Sequence, residues 1–193
     1  MDGVYRLSGI SSNIQRLKKS FDDDKVPDLF KDRLVLQDIH SVSSLVKLYF
    51  RELPSPVGTF HLYDEFVSSV RASEELRIMK LREVISQLPD PNYNTLEFLL
   101  KHLHRISLRH KETGMTAKNL AIVWAPNLLR SEALEAGGLD ALQVIADVLP
   151  FNSSLTKRRP LVKVQGSRGK CLLFFWNFFW NYFHLVSTIC ISC

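Results

Sequence analysis
Residues 38–54 read DIHSVSSLVKLYFRELP, and this segment constrains the fold more than any other. Val42, Leu45, Val46, Tyr49, Phe50 and Leu53 fall at i, +3, +4, +7, +8 and +11, which is one face of a 3.6-residue helix. Pro54 stops it, because proline lacks an N–H and clashes with the preceding turn. Lys47 and Arg51, four residues apart, fall on the opposite face as a small cationic ridge. A helix with so wide an apolar face must bury it against partners, and the rest of the chain supplies them. Ser12 stands three residues before Gln15, a capping-box spacing, and Ile14, Leu17 and Phe21 follow at helical intervals. Further amphipathic stretches cover residues 60–70, 76–88 and 91–106, with Asp90 and Pro91 as an N-cap and first-turn pair. A helix begins at Thr116 and is expected to end near Ala125, since the residue before a proline avoids the α region. Residues 139–149 form one more short helix. No alternating strand pattern or Asn-Gly hairpin competes, so the expected class is all-α.

At 193 residues and 46% hydrophobic content, the chain can fill one core of ordinary size and carry an appendage. A net charge of +5 suggests nucleic acid or a membrane until the charges are placed. Lys157, Arg158, Arg159, Lys163, Arg168 and Lys170 all follow Asp147, the last acidic residue, which leaves 19 basic against 20 acidic groups before them. The body is nearly neutral, and no nucleic-acid partner is expected. Cys171, Cys190 and Cys193 lie in the last 23 residues, so the body has neither a disulfide framework nor a cysteine metal site. A reducing, cytoplasmic setting fits, and the charged start, with Asp2 and Arg6, is no secretory signal. The phosphate-loop, dinucleotide and nucleophile-elbow patterns are absent, so no cofactor and no self-sufficient enzyme are expected. His102 and His104 lie about 200° apart around a helix and cannot share a metal. Both read as ordinary surface or half-buried histidines, and Asp22, Asp23 and Asp24 as solvated loop carboxylates.

Four ordered blocks carry a stronger signal: GVYRLSG, then RLKKSFD, then DIHSVSSLVKLYFRELPSPV, then MTAKNLAIVWAPNLLR. Together they resemble the Rho-family GTPase-activating (RhoGAP) domain over residues 3–130, most closely the branch that carries PX and SH3 domains in longer proteins. The resemblance implies a helical domain that docks on a GTP-bound Rho-, Rac- or Cdc42-like GTPase. It makes Arg6 the arginine finger inserted into the partner's active site. It places Lys47 and Arg51 on the docking face and gives Asn127 a part in completing the site. The partner would bring the phosphate loop, the Mg²⁺ and the water-positioning residue, which accounts for their absence here.

The ends depart from that family. Only residues 1–5 precede Arg6 where a helical segment is ordinarily found, so the domain is expected to be truncated there, with a weakly held finger and a less stable fold. After Arg130 the likeness fades. The expected organisation is a partial RhoGAP-like domain over residues 1–150, a basic linker over 151–170 and a hydrophobic segment over 171–193. That last segment carries no charge; as a helix it would run about 34 Å, against a hydrocarbon thickness of about 30 Å. Asn177, Asn181, His184, Ser187, Thr188 and Ser192 interrupt it. A membrane anchor behind a basic flank and an aberrant, aggregation-prone end both remain open. For function, a competent activator is the leading reading. A docking module without catalysis and a destabilised isoform are the alternatives.

Overall fold
The computed structural model describes residues 2–23, 25, 27–132 and 138–150. Their regular structure is entirely helical: α1 (Ser11–Asp22), α2 (Arg33–Gln37), α3 (Ile39–Glu52), α4 (Tyr63–Val70), α5 (Glu74–Gln87), α6 (Asp90–Leu108), α7 (His110–Thr113), α8 (Ala117–Leu128) and α9 (Leu139–Val148). The all-α class read from periodicity is the class observed. The described residues divide after Val46 into two compact units.

The first unit holds α1, α2 and the first half of α3. The capping box expected at Ser12 is not used. Helix α1 begins two residues earlier, behind Ile10, with no side-chain cap. The Ile10 carbonyl instead accepts from the N–H groups of Asn13 and Ile14, at 3.0 and 3.1 Å. Helix α2, too short to show a period in the sequence, is started by Asp32, whose side chain accepts from the Leu34 and Val35 amides. The same carboxylate accepts from Arg16 at 2.8 Å, and this bond is the main reason Asp32 stays below the usual carboxylate range.

In the second unit α4 packs on α5 and α9, and α8 packs on α6 and α9. Phe50, Phe66, Leu100, Leu120, Trp124 and Val144 are among its buried side chains. The Phe50 and Trp124 rings meet edge to face at 5.6 Å, a contact worth about 0.5–1.5 kcal/mol beyond simple burial. Two ion pairs tie α9 down: Arg71 to Asp140 at 2.8 Å and Arg77 to Asp147 at 3.5 Å.

Three local expectations are corrected here. Asp90 and Pro91 sit one position further into α6 than expected, with Pro89 as the cap. Helix α8 does not end at Ala125 but runs through Pro126 to Leu128. The bias before proline is overcome because Pro126 lies in the last turn. The Leu129 amide closes that turn on the Ala125 carbonyl at 2.9 Å, and Asn127 Nδ2 donates to the Val123 carbonyl at 2.8 Å. Finally, His102 is neither exposed nor half-buried but 4% exposed, and burial, helped by the Arg105 charge, pushes its pKa down to about 3. His104 is half-buried. Among the described residues no helix is long and apolar enough to cross a membrane. Residues 151–193, with the basic linker, the hydrophobic segment and all three cysteines, lie outside the described residues.

Candidate functional site
Arg6 belongs to the first unit, and Lys47, Arg51 and Asn127 belong to the second. The turn around Arg6 is built from buried backbone. Val4 and Tyr5 are 0% exposed, while the guanidinium-bearing side chain of Arg6 is 47% exposed. Gly3 and Tyr5 both adopt left-handed φ values, +66° and +69°, and the Gly3 carbonyl accepts from the Arg6 and Leu7 amides at 2.9 Å. For a residue with a side chain such a φ costs about 1–3 kcal/mol and persists only where the surroundings over-determine it. Complete burial of the Tyr5 ring supplies that constraint.

Downstream, the turn is fastened to helix α3. The Gly9 amide donates to Ser44 Oγ at 3.1 Å and the Ile10 amide to Asp38 Oδ2 at 2.8 Å. Ser41 Oγ also donates to Asp38 Oδ2. Burial raises the Asp38 pKa, but the hydrogen bonds from Ser41, the Ile10 amide and Asn13 outweigh it and hold the carboxyl below its ordinary value. Gly9 fits because nothing larger would: a Cβ there would lie 2.1 Å from the Ser41 amide nitrogen. The turn is therefore tied to the start of α3 through Ser44, Asp38 and Ser41. The guanidinium faces the Asp2 carboxylate, 3.5 Å away and 74% exposed.

On the second half of α3, Lys47 is half-buried and Arg51 is exposed. Burial first, and the neighbouring Arg51 charge second, lower the Lys47 pKa from its usual value. The cationic ridge is thus partly desolvated rather than freely hydrated. Asn127 is 6% exposed and its Nδ2 donates to the Val123 carbonyl, so the side chain is held largely within the second unit. Helix α8, which carries it, is fixed at its start by Thr116, whose hydroxyl accepts from the Asn119 amide at 3.2 Å. Asn119 Nδ2 in turn donates to the carbonyl of the left-handed Gly114 at 3.0 Å.

Several supporting residues escape a reading by periodicity: Gly9, Asp38, Ser41 and Ser44 around the Arg6 turn, and Arg130 beyond α8. Asp38 and Ser41 do stand three apart, a spacing that could flag a helix start. That the third member is the Ile10 amide, 28 residues away, has no local signal.

The described residues thus form helical units, the first of which carries an exposed arginine, Arg6, on a turn of buried residues. The RhoGAP domain family profile matches residues 1–133, and the chain belongs to that family. It is 57% identical over 148 residues to the Drosophila melanogaster GTPase-activating protein CdGAPr, covering 74% of this chain and 8% of that protein. It is 52% identical over 149 residues to the Homo sapiens Rho GTPase-activating protein 30, covering 77% of this chain and 13% of that protein. The chain therefore spans less than a sixth of either relative. Among solved structures, the crystal structure of human Rho GTPase activating protein 15 superposes with a TM-score of 0.74 at 30% identity, covering 81% of this chain and 75% of that one.

Proposed function
We propose that this chain accelerates GTP hydrolysis by a GTP-bound Rho-family small GTPase, with Arg6 inserted in trans and Lys47, Arg51 and Asn127 contributing to the docking surface. The observation that carries the reading is the contrast within one turn: Val4 and Tyr5 fully buried in a turn that the Gly3 carbonyl closes on the Arg6 and Leu7 amides, and an exposed guanidinium at Arg6. GTP hydrolysis gathers negative charge on the transferring phosphoryl oxygens. A cation held in place before the reaction stabilises that charge more than it stabilises the ground state. Arginine suits the task because its planar fork stays charged and donates several oriented hydrogen bonds. A finger supplied in trans contributes about 10³–10⁵ in rate in GTPases of this kind.

The docking role is supported by the state of Lys47. A cation lowered by burial and a like-charged neighbour gains when an acidic surface is brought against it, because the negative charge opposes the Arg51 repulsion and favours the charged lysine. The Asp2 contact favours a second reading, a module that docks without accelerating hydrolysis, since a finger held by its own chain is withheld from the partner. An exposed pair of this kind holds weakly, typically by less than about 1 kcal/mol, so the catalytic reading is preferred.

Single-turnover GTP hydrolysis by Rho-, Rac- and Cdc42-like GTPases, with and without the full chain, tests both. Acceleration that disappears in Arg6→Ala supports the activator. Binding without acceleration supports the docking module. Membrane association through residues 157–193 is a separate proposal resting on their sequence; a reporter fused to them should resist alkaline extraction from membranes if they span, and be released by salt if only the basic flank binds.

A further inference from the structure
Arg130 ties together parts of the second unit that lie far apart in the sequence. Its guanidinium donates through Nη1 to the Arg51 carbonyl at 2.8 Å and through Nη2 to the Leu53 carbonyl at 2.7 Å, across 79 and 77 residues of sequence. Its charge also lies 5.9 Å from the centre of the Phe60 ring. Arg51 is the penultimate residue of α3, and Leu53 and Pro54 follow its end. The last carbonyls of a helix have no intrahelical donor, and Pro54 cannot provide an amide to this end. A cation is also the favoured charge at a helix C-terminus. A planar fork can bridge two carbonyls in a fixed relation, whereas an ammonium acts as a single point.

The surrounding loop is fixed by independent ties. The Gly58 amide donates to the Leu128 carbonyl at 2.9 Å, and Asn92 Nδ2 donates to the Val57 carbonyl at 2.9 Å. A Cβ on Gly58 would meet Leu129 Cδ2 at 2.3 Å. Thr59, a β-branched residue, is held at φ +59°, a conformation that persists only under such constraint.

From this geometry we infer that Arg130 is a positioning residue for GTPase docking: it clamps the last turn of α3 so that the exposed Arg51 side chain leaves a fixed backbone. The inference rests on the docking role proposed for Arg51. It predicts that Arg130 acts on affinity through Arg51, whereas a merely structural residue would act through the whole fold.

The test is a double-mutant cycle on the full chain, titrated against a GTP-loaded Rho-type GTPase. The half-saturating concentration, the saturating hydrolysis rate and the thermal midpoint are read for the parent, Arg130→Ala, Arg51→Ala and the double variant. Arg130→Ala should raise the half-saturating concentration about fivefold in the parent and by less than about 1.5-fold in the Arg51→Ala background, because coupled residues do not add. The saturating rate should be unchanged by Arg130→Ala. The thermal midpoint should fall equally in both backgrounds, because Arg51→Ala keeps the carbonyl that Arg130 binds. Arg130→Lys, which keeps the charge but loses the fork, should fall between, and it carries the same cycle if Arg130→Ala does not fold. Equal loss of affinity in both backgrounds, or no loss in the parent, overturns the positioning role while leaving Arg51 as a docking residue. If Arg51→Ala alone leaves affinity unchanged, the docking role fails and the positioning role falls with it.

Discussion
The finger turn and the end of α3 present arginines in two different ways. At the turn, burial covers the two residues before Arg6 and Tyr5 takes up the strain, and the side chain meets an exposed carboxylate, Asp2. At the end of α3, the backbone of Arg51 is held by a second arginine reaching from beyond α8, and its neighbour Lys47 is partly stripped of water. A charge that must enter another protein's active site gains from a fixed base and a free tip. A charge that recognises a surface gains from being fixed and partly desolvated before the encounter. On the roles proposed for Arg6 and Arg51, the contrast separates rate from affinity, and substitutions can be chosen to break it.

The largest effect is expected at Arg6. Arg6→Ala should lower the saturating stimulated rate by about 10³-fold or more, with affinity changed by less than about threefold, as read by single-turnover hydrolysis and by titration. Arg6→Lys should recover only a little of the rate. A large loss of affinity in Arg6→Ala would erase the distinction between the two regions.

Next comes Gly9. A Cβ there collides with the Ser41 backbone and must shift the turn relative to the start of α3. Gly9→Ala should cost about 10²-fold in saturating rate, since small misplacements of a preorganised group are expensive, and leave half-saturation nearly where it was. Loss of affinity with the rate intact would mean that the turn serves docking instead.

At the other region, Lys47→Ala or Arg51→Ala should weaken affinity about tenfold while circular dichroism shows the helical content intact. If helicity falls, this face of α3 belongs to the core. The effect should also shrink at high salt, where exposed charges are screened.

His102 gives the second unit an acid sensitivity of its own. Its folded pKa of about 3 lies below the ordinary 6.5, so the unfolded chain takes up the proton first as pH falls. The stabilisation is complete above about pH 6.5 and is lost progressively as pH drops toward about 3. The thermal midpoint should decline through that window, and His102→Gln should flatten the decline. An unchanged slope would mean that other groups govern acid unfolding.

The smallest effect is expected at Asp2. Asp2→Asn frees the guanidinium from an exposed pair and should raise stimulation by less than about threefold at low salt, converging on the parent at high salt. A large gain would make Asp2 a true restraint on the finger and favour the docking-module reading.

The stripe from Val42 to Phe50 was legible because one helix face must be apolar, and Val42, Leu45, Val46 and Phe50 are all buried. Thr116 was legible as a start because its hydroxyl caps the amide three residues on. The position of Pro126 misled because a local bias was set against tertiary packing, and packing carried α8 one turn further. His102 misled because helical phase alone does not say how wide the buried face of α6 is; here it takes in Leu99, Leu103 and the imidazole together. Candidate side chains could be selected by family resemblance, but their supports could not. Asp38 and Arg130 act on backbone groups far along the chain, and backbone groups leave no mark in a sequence.

The strained turn at Gly3 and Tyr5 also bears on the heat of association. A loop that orders only on contact gives up conformational entropy at that moment and adds the heat-capacity change of local folding to that of the interface. Here the bonds that fix residues 3–7 are formed within the chain itself, so the ordering cost is met during folding. Calorimetry of the complex should then return a heat capacity accounted for by the apolar area the two surfaces cover, with no further contribution from the finger turn.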